Sequence, residues 1–239
     1  MIIAASMILL AGVAIGATGI GGILVVPVLT GLAGLSVLES VAASSCAFVF
    51  PGIVAFWRQR RSVESIPWAV YGATLVGAVT GALLTQWLPA AVLRGAVAAL
   101  ALASGAHALA TLNASRPERS LPRTAGLAAL GLVVGVGSAL SGTGGPVMML
   151  PVLMLLGVPL RSAIVLAQGV QLPVAIASSG VHAIAGRLDV VLAIGIGALL
   201  MVGAWLGYRL AEVVPSAGLK RVVAVGLVAT GMAYGWNSL

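Results

Sequence analysis

The residues of this chain best able to do chemistry are hydroxyls, carboxamides and glycines set inside long apolar runs. One group is Ser138, Ser141, Gly142, Thr143, Gly144 and Gly145, and a second is Thr18, Gly19, Gly21 and Gly22. Ser44 and Ser45 in "VAASSC" and Gln168 and Gln171 in "LAQGVQLP" add further polar side chains. None of these carries a charge. Glycine allows a tight turn and a close approach to the backbone, and hydroxyls and carboxamides can donate hydrogen bonds. Neutral donors gathered away from water suit the loose holding of a small anion. Gln168 and Gln171 are three apart and share a helix face; their alternative use is hydrogen bonding between helices.

Other chemistries find less support. Ser141 with His182 supplies the ingredients of an intramembrane serine hydrolase. A nucleophile also needs an oriented base and an oxyanion hole. Two histidines, five acidic residues and the single Cys46, scattered along the chain, make no metal-ligand set. No catalytic residue, metal or cofactor is expected.

The elements that position these residues follow from composition. Of 239 residues, 61% are hydrophobic and 7% charged, and the mean hydropathy is +1.18. Such a chain is a polytopic membrane protein with the lipid bilayer as its surroundings. The first segment, from Ile2, lacks a basic n-region and is read as part of the fold. The net charge of +7 does not indicate nucleic acid, because the basic residues are scattered without a dense patch.

The chain reads as two copies of one unit. Gly142, Gly144, Gly145 and Pro151-Val152-Leu153 match Gly19, Gly21, Gly22 and Pro27-Val28-Leu29. Further on, Gly77, Gly81, Leu84, Pro89, Leu93 and Gly105 match Gly203, Gly207, Leu210, Pro215, Leu219 and Gly231 at one offset. Thr18 is then the counterpart of Ser141, whereas His182 has no histidine counterpart, which weighs against the hydrolase. The units are 1–112 and 124–239, with "NASRPERSLPR" at 113–123 as a cytoplasmic linker. Each unit has four apolar segments, at roughly 2–34, 36–57, 66–87 and 91–112, then 124–157, 160–184, 189–212 and 216–237. A span needs about 20 apolar residues, so the first segment of each copy is too long, and glycines break it.

Charge separates two threadings. If all eight segments cross, the basic residues divide nearly evenly between the two sides. If each first segment enters and turns back, one side carries Arg58, Arg60, Arg61, Arg116, Arg119, Arg123, Arg161, Arg209, Lys220 and Arg221, and the other only Arg94 and Arg187. The second division obeys the positive-inside rule. The expected fold is therefore all-α, with two inverted repeats, each a re-entrant broken-helix hairpin plus three transmembrane helices. Both termini lie outside. A long kinked helix in place of each hairpin is the alternative.

"GATGIGGILVVPVL" and "SGTGGPVMMLPVL", with "GRLD" at 186–189 and "GAWLGYRLA" at 203–211, resemble the sulfite exporter TauE/SafE family, also called the toluene-sulfonate uptake permeases. The resemblance covers essentially the whole chain. It departs where the first copy has "RRSVE" at 60–64 in place of "GRLD". It implies secondary transport of a small sulfur-containing anion such as sulfite, a sulfonate or sulfoacetate, in the plasma (bacterial inner) membrane. It sets neither the anion nor the direction.

The physics of the hairpins agrees. Return limbs beginning near Gly22 and Gly145 would point free N–H groups at the midplane. The expected substrate-binding set is Thr18, Gly19, Gly21, Gly22, Ser44, Ser45, Ser141, Gly142, Thr143, Gly144, Gly145, Gln168 and Gln171. A coupling proton and a homodimer are compatible with the sequence, with His182 a candidate for the former. Glu39 is expected to face headgroups and Arg161 to anchor topology. Trp57, Trp68, Trp87 and Trp236 form an aromatic belt, while Trp205 is expected to pack inside. An anion channel would use the same pore elements and is the alternative function.

Overall fold

The computed structural model describes residues 2–60, 68–111, 124–213 and 216–236. The linker 113–123 and the loop residues 61–65 lie outside the described residues, as do the side chains of Arg58, Arg60, Arg161, Lys220 and Trp236. The described elements are all helical. The first half holds α1 (Ile2–Thr18), a 3-10 turn (Gly21–Leu24), α2 (Val25–Gly31), α3 (Val37–Ala47), α4 (Val49–Arg60), α5 (Trp68–Leu84) and α6 (Ala90–Ala110). The second holds α7 (Thr124–Ser141), α8 (Pro146–Leu155), α9 (Leu160–Gly169), α10 (Gln171–Ile184), α11 (Val190–Val213) and α12 (Ser216–Trp236).

Val37–Trp57, Ala90–Ala110, Thr124–Ser141, Ser162–Ile184 and Val190–Val213 are long and apolar enough to cross a bilayer. The chain is a multi-pass helical membrane protein. The set differs from the six spans expected. It includes Thr124–Ser141, expected as a hairpin limb, and omits α5, while several residues of α12 lie outside those described. With 17 residues, α5 reaches about 25 Å at the helical rise of 1.5 Å per residue, against a hydrocarbon core of about 30 Å.

The second segment of each half is itself broken, which the segment reading treats as continuous. Pro51 lies four residues after Ala47, and Pro173 four after Gly169. A proline has no N–H for the carbonyl four residues back, and its ring crowds that carbonyl. The helix ends there: α3 stops at Ala47 and α9 at Gly169. Phe48 and Val170 occupy the breaks.

Two helix starts are built locally. Ser36 Oγ accepts from the Glu39 N–H at 3.2 Å, and Glu39 Oε2 accepts from the Ser36 N–H at 2.9 Å. This reciprocal cap begins α3. Asp189 Oδ1 accepts from the Leu192 N–H at 3.0 Å and caps α11.

Glycine pairs spaced by four form the closest helix contacts. Gly12 and Gly16 of α1 face Leu200, Gly203 and Ala204 of α11, and Gly203 and Gly207 face Leu9, Gly12, Val13 and Ala17 in return. Gly77 and Gly81 of α5 face Leu132 and Val136 of α7, while Gly131 and Gly135 face Val70, Thr74 and Ala78. Lipid supplies no hydrophobic drive between helices, so small residues that let backbones approach decide the contacts. In both pairs the contacts climb together, so the helices run parallel. In α6 and α12, Gly105 meets Ala224 and Val228 while Gly231 meets Leu102, so these run antiparallel. Each pair joins the two halves.

Trp57, Trp68 and Trp87 project outward at helix ends. Trp205 does not pack inside as expected. It is 53% exposed, with the Arg209 guanidinium 5.4 Å from its ring centroid. Its neighbours Gly203, Ala204 and Gly207 take the contact with α1 and turn Trp205 to the opposite face.

Candidate substrate site at two backbone turns

Each half opens with a helix that breaks at buried glycines. In the first, the Thr18 hydroxyl donates to Ala14 O at 2.8 Å and accepts from the Ile20 N–H at 3.3 Å. Gly19 takes φ +78°. In the second, the Ser141 hydroxyl reaches Gly137 O at 2.7 Å and lies 2.9 Å from Thr143 Oγ1. Gly142, Gly144 and Gly145 have φ of +62°, +79° and +106°, a region costly to residues with a Cβ. This leaves the Gly144 and Gly145 N–H groups without a protein acceptor among the described residues. They lie at the start of α8, whose first residue is Pro146. Uncommitted amides at a positive helix end are chemically suited to an anion.

The broken second helices clasp both turns. Ser44 of α3 donates to Gly142 O at 3.1 Å, and also reaches Val41 O at 3.1 Å. Its neighbour Ser45 is buried too. Gln168 of α9 approaches the first turn, with Nε2 3.5 Å from Ile15 O. Gln171 Nε2 lies 3.5 Å from Phe48 O, and its Oε1 is buried without a partner among the described residues. A Cβ on Gly22 would lie 2.8 Å from Thr143 O and 3.1 Å from Phe48 Cζ. A Cβ on Gly144 would lie 3.0 Å from Phe48 Cγ. Thus Phe48 stands between the two turns, and Gly21 packs against Ala11 and Ala14 of α1.

All thirteen expected site residues are buried. The hydroxyls of Thr18, Ser44 and Ser141 face backbone carbonyls, so the uncommitted donors of the second turn are its amides. Ser141 bonds to Gly137, Ser138 and Thr143, and no bond joins it to His182 among the described residues. His182 is fully buried with neither ring nitrogen partnered among them.

Sequence reading missed two contributors. Phe48 carries no polar signal, although Pro51 marks the break that places it. Tyr208 of α11 donates to Gln168 Oε1 at 2.9 Å, orienting the carboxamide. Tyr208→Phe should lower stability by about 0.5–1.5 kcal/mol. In a Gln168→Leu background the same change should have little further effect, as a thermal double-mutant cycle would show; additive losses would mean the pair does not interact.

The model of one family, sulfite exporter TauE/SafE, matches residues 4–234. The chain belongs to this family. The match runs through both glycine turns and both broken helices, so TauE/SafE membership covers the whole site. It makes the protein one of a family of membrane transporters. No curated protein and no solved structure matches the chain.

Proposed function

We propose that this TauE/SafE protein is a secondary transporter that carries a small sulfur-containing oxyanion, such as sulfite, a sulfonate or sulfoacetate, by alternating access around the two glycine turns. One observation carries the proposal. The uncommitted amides of Gly144 and Gly145 open a helix inside a buried site that holds no charged side chain. A neutral donor set holds an anion loosely enough to release it, as transport requires. No carboxylate lines the turns to repel it.

The inverted arrangement is part of the proposal. Eight full crossings would make α6 and α12 parallel and put the loop 32–36 and the turn 185–189 on opposite sides. The antiparallel α6–α12 contact favours the re-entrant threading. So does a cavity lined by both Ser36 and Gly186. With the basic loops inside, both termini lie outside the plasma (bacterial inner) membrane. Alternating access would rock the halves about the parallel glycine seams.

The test is a thermal-shift screen of the purified protein against sulfite, sulfate, thiosulfate, methanesulfonate, sulfoacetate and matched carboxylates, followed by counterflow in proteoliposomes. A ligand at a hundred times its Kd should stabilise the native state by about 2.7 kcal/mol. The expected result is a selective shift with a sulfur oxyanion, reduced in Gln168→Ala, together with saturable counterflow. A shift with carboxylates or cations alone would remove the substrate class. Flux that never saturates would indicate a channel.

A further inference from the structure

A cavity of 580 Å³ lies between the halves, at the face where the loop after α2 meets the turn after α10. Ser36, Glu39 and Ala43 line it from the first half, and Arg187, Asp189 and Leu192 from the second. It is separate from the glycine turns but extends to Ala43. The next residue, Ser44, holds Gly142 O.

The charges around this cavity are unequally committed. Glu39 and Asp189 each cap a helix start, Glu39 on the Ser36 N–H and Asp189 on the Leu192 N–H. There the positive helix ends offset part of their charge. Arg187 is placed differently. Its Nη1 is buried and has no hydrogen-bond partner among the described residues. A buried donor on a charged group without an acceptor is costly. Turned into the cavity, which Arg187 lines, the planar guanidinium fork would match two oxygens of an oxyanion.

We infer that Arg187 is the recognition residue of a second anion site, where a dissolved sulfonate- or sulfate-like oxyanion docks in this cavity before reaching the midplane. Docking as a step on the way inward rests on the transport reading above; binding at Arg187 does not. A lipid phosphate would present the same oxygens, so the test must distinguish the two sources.

The experiment follows the rate of phenylglyoxal modification at Arg187 by peptide mass spectrometry, in the full-length protein. Methanesulfonate is the probe, with chloride at equal ionic strength as the control. In delipidated detergent micelles, methanesulfonate should slow modification of Arg187 at least threefold while leaving exposed Arg94 unchanged. The protection should persist in Gln168→Ala, which alters the midplane site alone. Equal rates, equal slowing by chloride, or slowing that appears only after phospholipid is added would each overturn the assignment. Protection without counterflow would sustain this site and remove the transport reading. Counterflow without protection would do the reverse.

Discussion

Gly144→Val should abolish transport while the protein still inserts and purifies as a monodisperse species. Two effects act together. At φ +79° a β-branched residue is strained by about 1–3 kcal/mol. Its Cβ would also lie 3.0 Å from Phe48 Cγ, where the ring is buried between the two turns and has little room to yield. Relief requires the turn to move, and with it the amides of Gly144 and Gly145. A displacement of about 1 Å at a positioned site can reduce function roughly a hundredfold, so counterflow should fall by at least about that factor. Gly34→Ala is the control. Gly34 has φ +72°, but nothing lies within 4 Å of its Cβ position. It should lose about 1 kcal/mol of stability and keep transport. Normal counterflow in Gly144→Val would remove the second turn from the site.

The second large effect concerns the seam between α1 and α11. A Cβ on Gly207 would lie 2.1 Å from Val13 O, which is backbone and cannot rotate aside. Gly207→Ala should therefore force the helices apart. Overpacking of this kind costs about 1–3 kcal/mol or more, equivalent to a fall of roughly 2–12 °C in Tm for a chain of this size. Gly195 lies on the same helix with nothing within 4 Å. Gly195→Ala should be neutral or stabilising by up to about 1 kcal/mol, because alanine restricts the unfolded chain and favours helix. Detergent melting curves of the two variants provide the comparison. Equal melting temperatures would mean that α1 and α11 do not meet through these glycines.

Several features were legible because they rest on local rules. Glycine runs beside hydroxyls marked both backbone breaks, since few other residues take φ above zero without strain. The cap at Ser36 and Glu39 is a local signature as well, though Glu39 was read only as facing headgroups. Pro51 and Pro173 carried the signal for the second pair of breaks, and hydropathy masked it because both flanks are apolar. Reading the proline four residues back would have located Ala47 and Gly169, and with them Phe48.

Composition and motif spacing by themselves determined a multi-pass helical membrane protein of the TauE/SafE family with glycine turns inside its apolar segments. These depend on transfer free energy and on backbone sterics, which each residue carries with it. Only the tertiary structure decided which helices pair. The glycine spacing at 12 and 16, 77 and 81, 131 and 135, and 203 and 207 is the same in all four helices, so spacing alone names no partner. It also decided that Phe48 stands between the turns, that Tyr208 holds Gln168, and that Trp205 faces outward. Each depends on contacts between segments far apart in the chain, and no local rule names the partner of a given residue.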